Sequence, residues 1–182
     1  EVVGYDNLNF SSLALSLYPG AAELGIRPLP DRVVTNGPTF ARILAEAGFP
    51  AERIRVGCAL RHQALYADGA LRPTPRADPE YVLAAGSIDA GQTIEMVEAA
   101  HRAFGDDLLV KLHPAADADR IRRGLDPAVR YADRPLGDLL PEARAMIYTY
   151  SIVPYEALAA GVPPIFFQSQ ALLDLDQLEP TP

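Results

Sequence analysis

The chain has 182 residues, with 24 acidic against 16 basic side chains, a net charge of −8 and 49% apolar residues. That length suits one domain, or one domain with part of another, and the apolar share is enough for a core. The acidic balance argues against non-specific nucleic-acid binding as the main role.

In chain order, Glu1–Asn7 reads as the end of a strand entering a loop, and Leu8–Tyr18 carries no clear period. Pro28–Asp31 is a turn that launches a strand over Arg32–Asn36. Gly37–Pro38 opens a helix over Thr39–Ala47, with Phe40, Ile43, Leu44 and Ala47 on one face and Gly48 as its stop. Ile54–Leu60 reads as the next strand. It carries Cys58, which is the one cysteine. A lone cysteine permits no internal disulfide and no cysteine metal site, and in an apolar run it reads as a buried small hydrophobe. Arg61–His62 closes that strand, as an exposed basic pair or as a pair facing a cleft.

Ala67–Pro79 holds three prolines, a glycine and alternating charge, which is a linker composition. It divides the chain into residues 1–66, a connector at 67–79, and residues 80–182. Beyond it the pattern is regular. Tyr81–Ala85 is a strand, Gly91–Phe104 a helix with Ile94, Val97 and Ala100 or His101 inward, and Leu108–Leu112 a strand. Ala116–Arg123 is a helix, Val129–Tyr131 a strand and Leu136–Leu140 a short helix. Strands alternating with helices through tight connections mean an α/β, Rossmann-like parallel sheet with helices on both faces. Such sheets take ligands beyond the carboxyl ends of their strands.

The last regular stretch, Ala145–Phe167, reads as strand, turn, helix, turn and strand. Ala145–Thr149 is apolar, Tyr150–Val153 is the turn, and Pro154 is tolerated in a first helical turn. Gly161 ends the helix and Pro163–Phe167 begins the next strand. A helix opening after a strand aims backbone N–H groups and positive dipole above the sheet, where an anionic phosphate can bind. Thr149, Tyr150 and Ser151 add hydroxyls there and Glu156 a carboxylate. The plainer alternative is a Ser N-cap on an ordinary buried helix.

Two other strand ends carry polar clusters. Residues Gly86–Thr93 (GSIDAGQT) match the phosphate loop G-x-x-x-x-G-K-[ST] except for Gln92 in place of the Lys. Without that charge, and with no Asp closing a later strand to hold magnesium, a nucleotide triphosphatase is disfavoured. Gly86 and Ser87 either let the backbone approach a ligand or form a plain Gly-rich turn. Lys111, the single lysine, and His113 end the next strand in Lys111-Leu112-His113-Pro114. A Lys and a His there make a seat for a monophosphate or diphosphate, with Pro114 restricting the His. No Gly-x-Ser-x-Gly elbow, metal-spaced His cluster or His-Glu-x-x-His is present, so an acyl hydrolase or zinc enzyme has no support.

No stretch approaches the roughly 20 apolar residues of a transmembrane helix, and no signal peptide opens the chain. A soluble cytoplasmic domain is the default expectation. Without a starting Met, the chain reads as a piece of a longer protein or a processed one.

Three pieces together resemble a family. Tyr150-Ser151 followed by Glu156-Ala157-Leu158 and Gly161-x-Pro163 is similar to the donor-site signature of GT-B glycosyltransferases. Lys111-Leu112-His113-Pro114 resembles the His-Pro motif of bacterial sialyltransferases, polysialyltransferases and capsule or teichoic-acid polymerases. Pro30-Asp31 through Asn36-Gly37, Leu44 through Pro50, and Val56–Arg61 resemble the end of the first domain in bacterial surface-carbohydrate biosynthesis proteins. Val3-Gly4-Tyr5 matches the start of a Gly-Tyr-Gln-His segment there, and this chain has Asp6-Asn7 in its place.

The resemblance implies transfer of a sugar from a nucleotide sugar to a surface-carbohydrate acceptor, with no metal and no cofactor beyond the donor. Residues 1–66 would be the tail of an acceptor-side domain and 80–182 the donor-binding domain. Ser151 would hold the donor phosphate together with Thr149, Tyr150 and Lys111. His113, the implied catalytic residue, would offset charge on the leaving group. Glu156 would hold the ribose, and Gly86 and Ser87 would lie under the phosphates. The general base would belong to the rest of the acceptor-side domain, so this length of chain alone would bind a nucleotide without turnover. The resemblance implies no nucleic-acid partner and allows peripheral association with a membrane. A nucleotide-sugar 2-epimerase-like enzyme and a non-catalytic Rossmann-like scaffold remain alternatives. On the donor-site reading, Gly86, His113 and Ser151 share one rim of the sheet.

Overall fold

Among the described residues every strand pairing is parallel. The computed structural model describes residues 1–5, 22–58, 60, 63, 78–170, 176 and 178. Contacts divide the chain into two units, Glu1–Ala67 with Glu179–Pro182, and Asp68–Leu178. The Asp6–Asn7 positions, the Leu8–Tyr18 stretch, the Arg61–His62 pair and most of the Ala67–Pro79 connector lie outside the described residues. Among those described, no helix is long and apolar enough to cross a membrane.

In the first unit β1 (Val3–Tyr5), β2 (Arg32–Thr35) and β3 (Ile54–Val56) form a parallel sheet in that order. Helix α1 (Pro38–Glu46) makes the crossover from β2 to β3 and buries Leu44, with Phe49 buried just beyond it. The strand expected over Ile54–Leu60 ends at Val56. Val56 pairs with Thr35, where β2 itself stops before turning into α1, and the last bond is Gly57 N–H to the Thr35 carbonyl at 2.9 Å. Gly57 lies so close to β2 that a Cβ there would come 2.4 Å from Val34 Cγ1. Cys58, expected to be buried, is exposed because it lies past the end of the ladder.

The second unit holds β4 (Tyr81–Ala85), β5 (Leu108–Lys111), β6 (Arg130–Tyr131), β7 (Ala143–Tyr148) and β8 (Pro164–Phe166), in the order β6-β5-β4-β7-β8. Counted from β4, that is the 3-2-1-4-5 winding of a Rossmann-like sheet. The chain starts at the centre, winds out to β6, then crosses back to β7 on the far side of β4. Right-handed crossovers in the two directions must put helices on opposite faces. They do: α2 (Ala90–Phe104) and α3 (Ala118–Arg123) supply Met96, Val97, Ala100 and Ile121 to the core beneath Val82, Ala84 and Val110. On the other face α4 (Leu136–Leu139), the turn after it, and α5 (Val153–Ala159) bring Leu139, Leu140 and Ala157 against Leu83, Met146 and Tyr148. All five residues of β4 are buried, as a strand covered on both faces requires. Tyr81 keeps its hydroxyl satisfied there by donating to the Leu139 carbonyl at 2.8 Å; burial, with Glu142 nearby, pushes the phenol up to about 12.

Two helices end alike. After α1 the N–H groups of Gly48 and Phe49 reach back to Ala45 and Leu44. After α5 those of Gly161 and Val162 reach back to Leu158 and Ala157. Gly48 (φ 96°) and Gly161 (φ 75°) hold the left-handed position that this paired C-cap needs.

Candidate functional site

Because all five strands of the second sheet run in parallel, their carboxyl ends lie along one rim. Gly86 follows β4 directly, His113 comes two residues after β5, and Thr149 follows β7 directly. The winding reverses between β4 and β7, and crevices for ligands form at such switch points. With β4 between them, β5 and β7 stand roughly 10 Å apart at a strand spacing of about 4.8 Å.

The loop after β4 is closed on itself. Ser87 is 1% exposed; its N–H donates to Thr93 Oγ1 at 3.1 Å and its hydroxyl donates to Gln92 Oε1 at 3.0 Å and accepts from the Asp89 N–H at 3.1 Å. Asp89 is the N-cap of α2, accepting from the Gln92 N–H at 2.8 Å. Gly86 N–H donates to the Lys111 carbonyl at 2.9 Å. A Cβ on Gly86 would sit 3.0 Å from Thr93 Cγ2, so the glycine lets helix and strand approach each other. In residues 86–93 the phosphate-loop spacing is thus taken up by capping and close packing. Ser87 has its donors engaged inside the protein and forms the floor of the rim.

The His113 region is more open. His113 is exposed, and its Nδ1 accepts from the Ala115 N–H at 3.1 Å. An accepting Nδ1 places the proton of the neutral ring on Nε2, which is left as a donor. Lys111 is half-buried, with Nζ at a long 3.5 Å from the Asp133 carbonyl.

The loop after β7 is built differently. Thr149 is 2% exposed and accepts from the Tyr150 N–H; Tyr150 is 50% exposed. The N-cap of α5 is Ile152, without a side-chain bond, and Ser151 accepts from the Val153 N–H only at 3.4 Å. Ser151 is therefore one residue too early to be the N-cap. The helix opening also offers fewer free donors than its sequence suggests. Pro154 has none, and Tyr155 N–H turns back to the Ile152 carbonyl at 3.3 Å. Glu156 lies in the same first turn, half-buried.

Beside this loop, Gln92, Thr149, Tyr150, Phe166 and residues 167–169 line a small pocket. Its far wall is tied to α2. Glu95 accepts from Ser169 Oγ at 2.5 Å and from the Gln170 N–H at 2.9 Å. These bonds, the backbone one first, hold the Glu95 carboxyl below the usual carboxylate range. The sequence reading passed over Glu95, Ser169 and Gln170, because no local spacing announces a bond between residues 74 positions apart. Among the described residues no group of three or more His, Cys, Asp or Glu side chains could hold a metal ion.

No family model matches the sequence, and no curated protein does. Solved structures do. The HepE protein of Anabaena, in complex with UDP and glucose, is 18% identical over 90% of this chain, with a TM-score of 0.51. The wall teichoic acid polymerase TagF, soaked with CDPG, is 18% identical over 75% of this chain and 37% of its own, with a TM-score of 0.42. KpsC of Thermosulfurimonas dismutans, a beta Kdo 2,7 transferase, is 14% identical over 74% of this chain and 64% of its own, with a TM-score of 0.38. The chain spans 52% of the length of HepE. The likeness to HepE shows the fold: α/β, with the Rossmann-like parallel sheets of a GT-B protein.

Proposed function

We propose that residues 80–182 are the donor-binding domain of a metal-independent glycosyltransferase and residues 1–66 the tail of its acceptor-side domain, joined through 67–79. The donor is a nucleotide sugar and the acceptor a surface carbohydrate, reached from the cytoplasm. The observation that carries this reading is the winding order. It sets Gly86, His113 and the Thr149–Tyr150–Ser151 turn on three adjacent strand ends, at the switch point where ligands of such sheets bind. That HepE, similar in fold, was solved with UDP and glucose is consistent with it.

Each residue has a role its geometry permits. His113 donates from Nε2 to the donor phosphate and so offsets charge on the departing nucleotide. Ser151, whose hydroxyl is only weakly engaged, and Tyr150 reach the same phosphate. Lys111 adds positive charge beneath it. Thr149 shapes the turn through its bond to the Tyr150 N–H, and Glu156 takes the ribose hydroxyls. Gly86 and Ser87 support the rim from below. The base that deprotonates the acceptor hydroxyl belongs to the acceptor side.

The test is calorimetric titration of CMP, UDP and GDP into the protein, with and without chelator. One nucleotide should bind, and chelator should not matter. Ser151→Ala should weaken binding by about 0.5–1.5 kcal/mol, or up to about 3 if the lost bond was to a charged phosphate. His113→Ala should cost more. Binding that vanishes with chelator, or that survives both substitutions unchanged, overturns the assignment, and indifference to all three nucleotides would leave a scaffold.

A further inference from the structure

Strand β8 has three residues and, among the described residues, a single neighbour, β7. The ladder closes with the Phe167 N–H on the Tyr148 carbonyl at 2.7 Å. Beyond that point residues 167–169 still form one wall of the pocket beside Thr149 and Tyr150. Their position is set from outside the sheet by the Glu95 carboxylate, which uses one oxygen on Ser169 Oγ and the other on the Gln170 N–H. Ser169 is 6% exposed, so its hydroxyl is shielded from water, whereas the bond from the Gln170 N–H lies at the surface. Both partners are donors. A carboxylate meets two donors with two acceptors, whereas an amide would turn an NH₂ group against one of them.

The same helix also lines the pocket itself. Gln92 lies one turn before Glu95, lines the pocket, and accepts the Ser87 hydroxyl from the β4 loop. Helix α2 therefore holds the β4 loop through Gln92 and Thr93 and residues 169–170 through Glu95.

We infer that Glu95 is a positioning residue for the nucleotide, holding residues 167–170 as the wall against which the ligand seats beside Thr149 and Tyr150. This rests on the donor-site reading above. Glu95 does not touch the ligand; it acts through Ser169 and the backbone of Gln170.

The experiment measures Kd for CMP, UDP and GDP on wild type, Glu95→Ala, Glu95→Gln, Ser169→Ala and the Glu95→Ala/Ser169→Ala double variant, with a thermal melt of each. Arg144→Ala is the control: it breaks an exposed pair with Asp107 (2.7 Å) at the amino ends of β7 and β5, the rim opposite the carboxyl ends. Glu95→Ala should weaken the nucleotide that binds wild type by roughly tenfold or more, the scale of lost charge-assisted bonds. Glu95→Gln and Ser169→Ala should each give a smaller loss, and the double variant should be no weaker than Glu95→Ala, since the two side chains act as one unit. Arg144→Ala should leave Kd unchanged. If Glu95→Ala does not fold, Glu95→Gln and Ser169→Ala carry the test alone. Wild-type affinity in the Glu95 variants, or losses that simply add in the double variant, overturns the inference and leaves the donor site standing. A wild-type protein that binds none of the three nucleotides overturns the donor site, and the inference falls with it.

Discussion

Two loops on neighbouring strands of one rim solve the same problem in opposite ways. Each leads from a buried parallel strand into a helix through small and hydroxyl-bearing residues. After β4, Asp89 caps a 15-residue helix, Thr93 Oγ1 accepts the Ser87 N–H and donates to the Ser87 carbonyl, and the Ser87 hydroxyl donates to Gln92, so no donor of Ser87 is left over. After β7, a 7-residue helix begins at an uncapped Ile152, Ser151 makes one long bond, and Tyr150 is half exposed. A loop that satisfies itself is scaffold. A loop with weakly engaged hydroxyls at a switch point has something left to give a ligand.

The contrast is sharpest at Thr93. Thr93→Val keeps the shape but leaves the buried Ser87 N–H without its acceptor, at a cost of about 1–3 kcal/mol in urea-unfolding stability. A neutral result would mean that the β4 loop is not held from within. Asp89→Ala removes the cap of α2 and should cost about 1 kcal/mol by the same measurement. On the β7 side, Ser151→Ala should change stability by less than about 0.5 kcal/mol, because a 3.4 Å bond holds little. If Ser151→Ala instead destabilises as much as Asp89→Ala, the two loops are built alike and the distinction between scaffold and site is lost.

Most of the fold was legible in the residues. Tyr81–Ala85, an apolar run too short for a helix and bounded by turn residues, is a strand over the same five positions. Gly161 after a run of helix formers ends that helix in the left-handed position. What stayed hidden is the matter of who bonds to whom. G-x-x-x-x-G-x-T looks the same whether its backbone wraps a phosphate or its own Thr93, and only the packing of Thr93 on Gly86 tells the two apart. Strand ends are hidden too: Ile54–Leu60 reads as one apolar run, yet β3 can be no longer than the partner that pairs with it. Glu95 is one more acid on a helix until Ser169 and Gln170 come beside it.

The winding from the centre outward also bears on how the molecule is made. On a ribosome, β4, α2 and β5 emerge together and can pair at once, but the other edge of β4 belongs to β7, which follows only after α3, β6 and α4. At roughly 5–20 residues per second that edge waits a few seconds. Tyr81–Ala85 is uncharged throughout, and a bare, uncharged strand edge is what strands of other chains join most readily. The strand at the heart of the finished sheet is therefore the one most exposed to misassociation during synthesis.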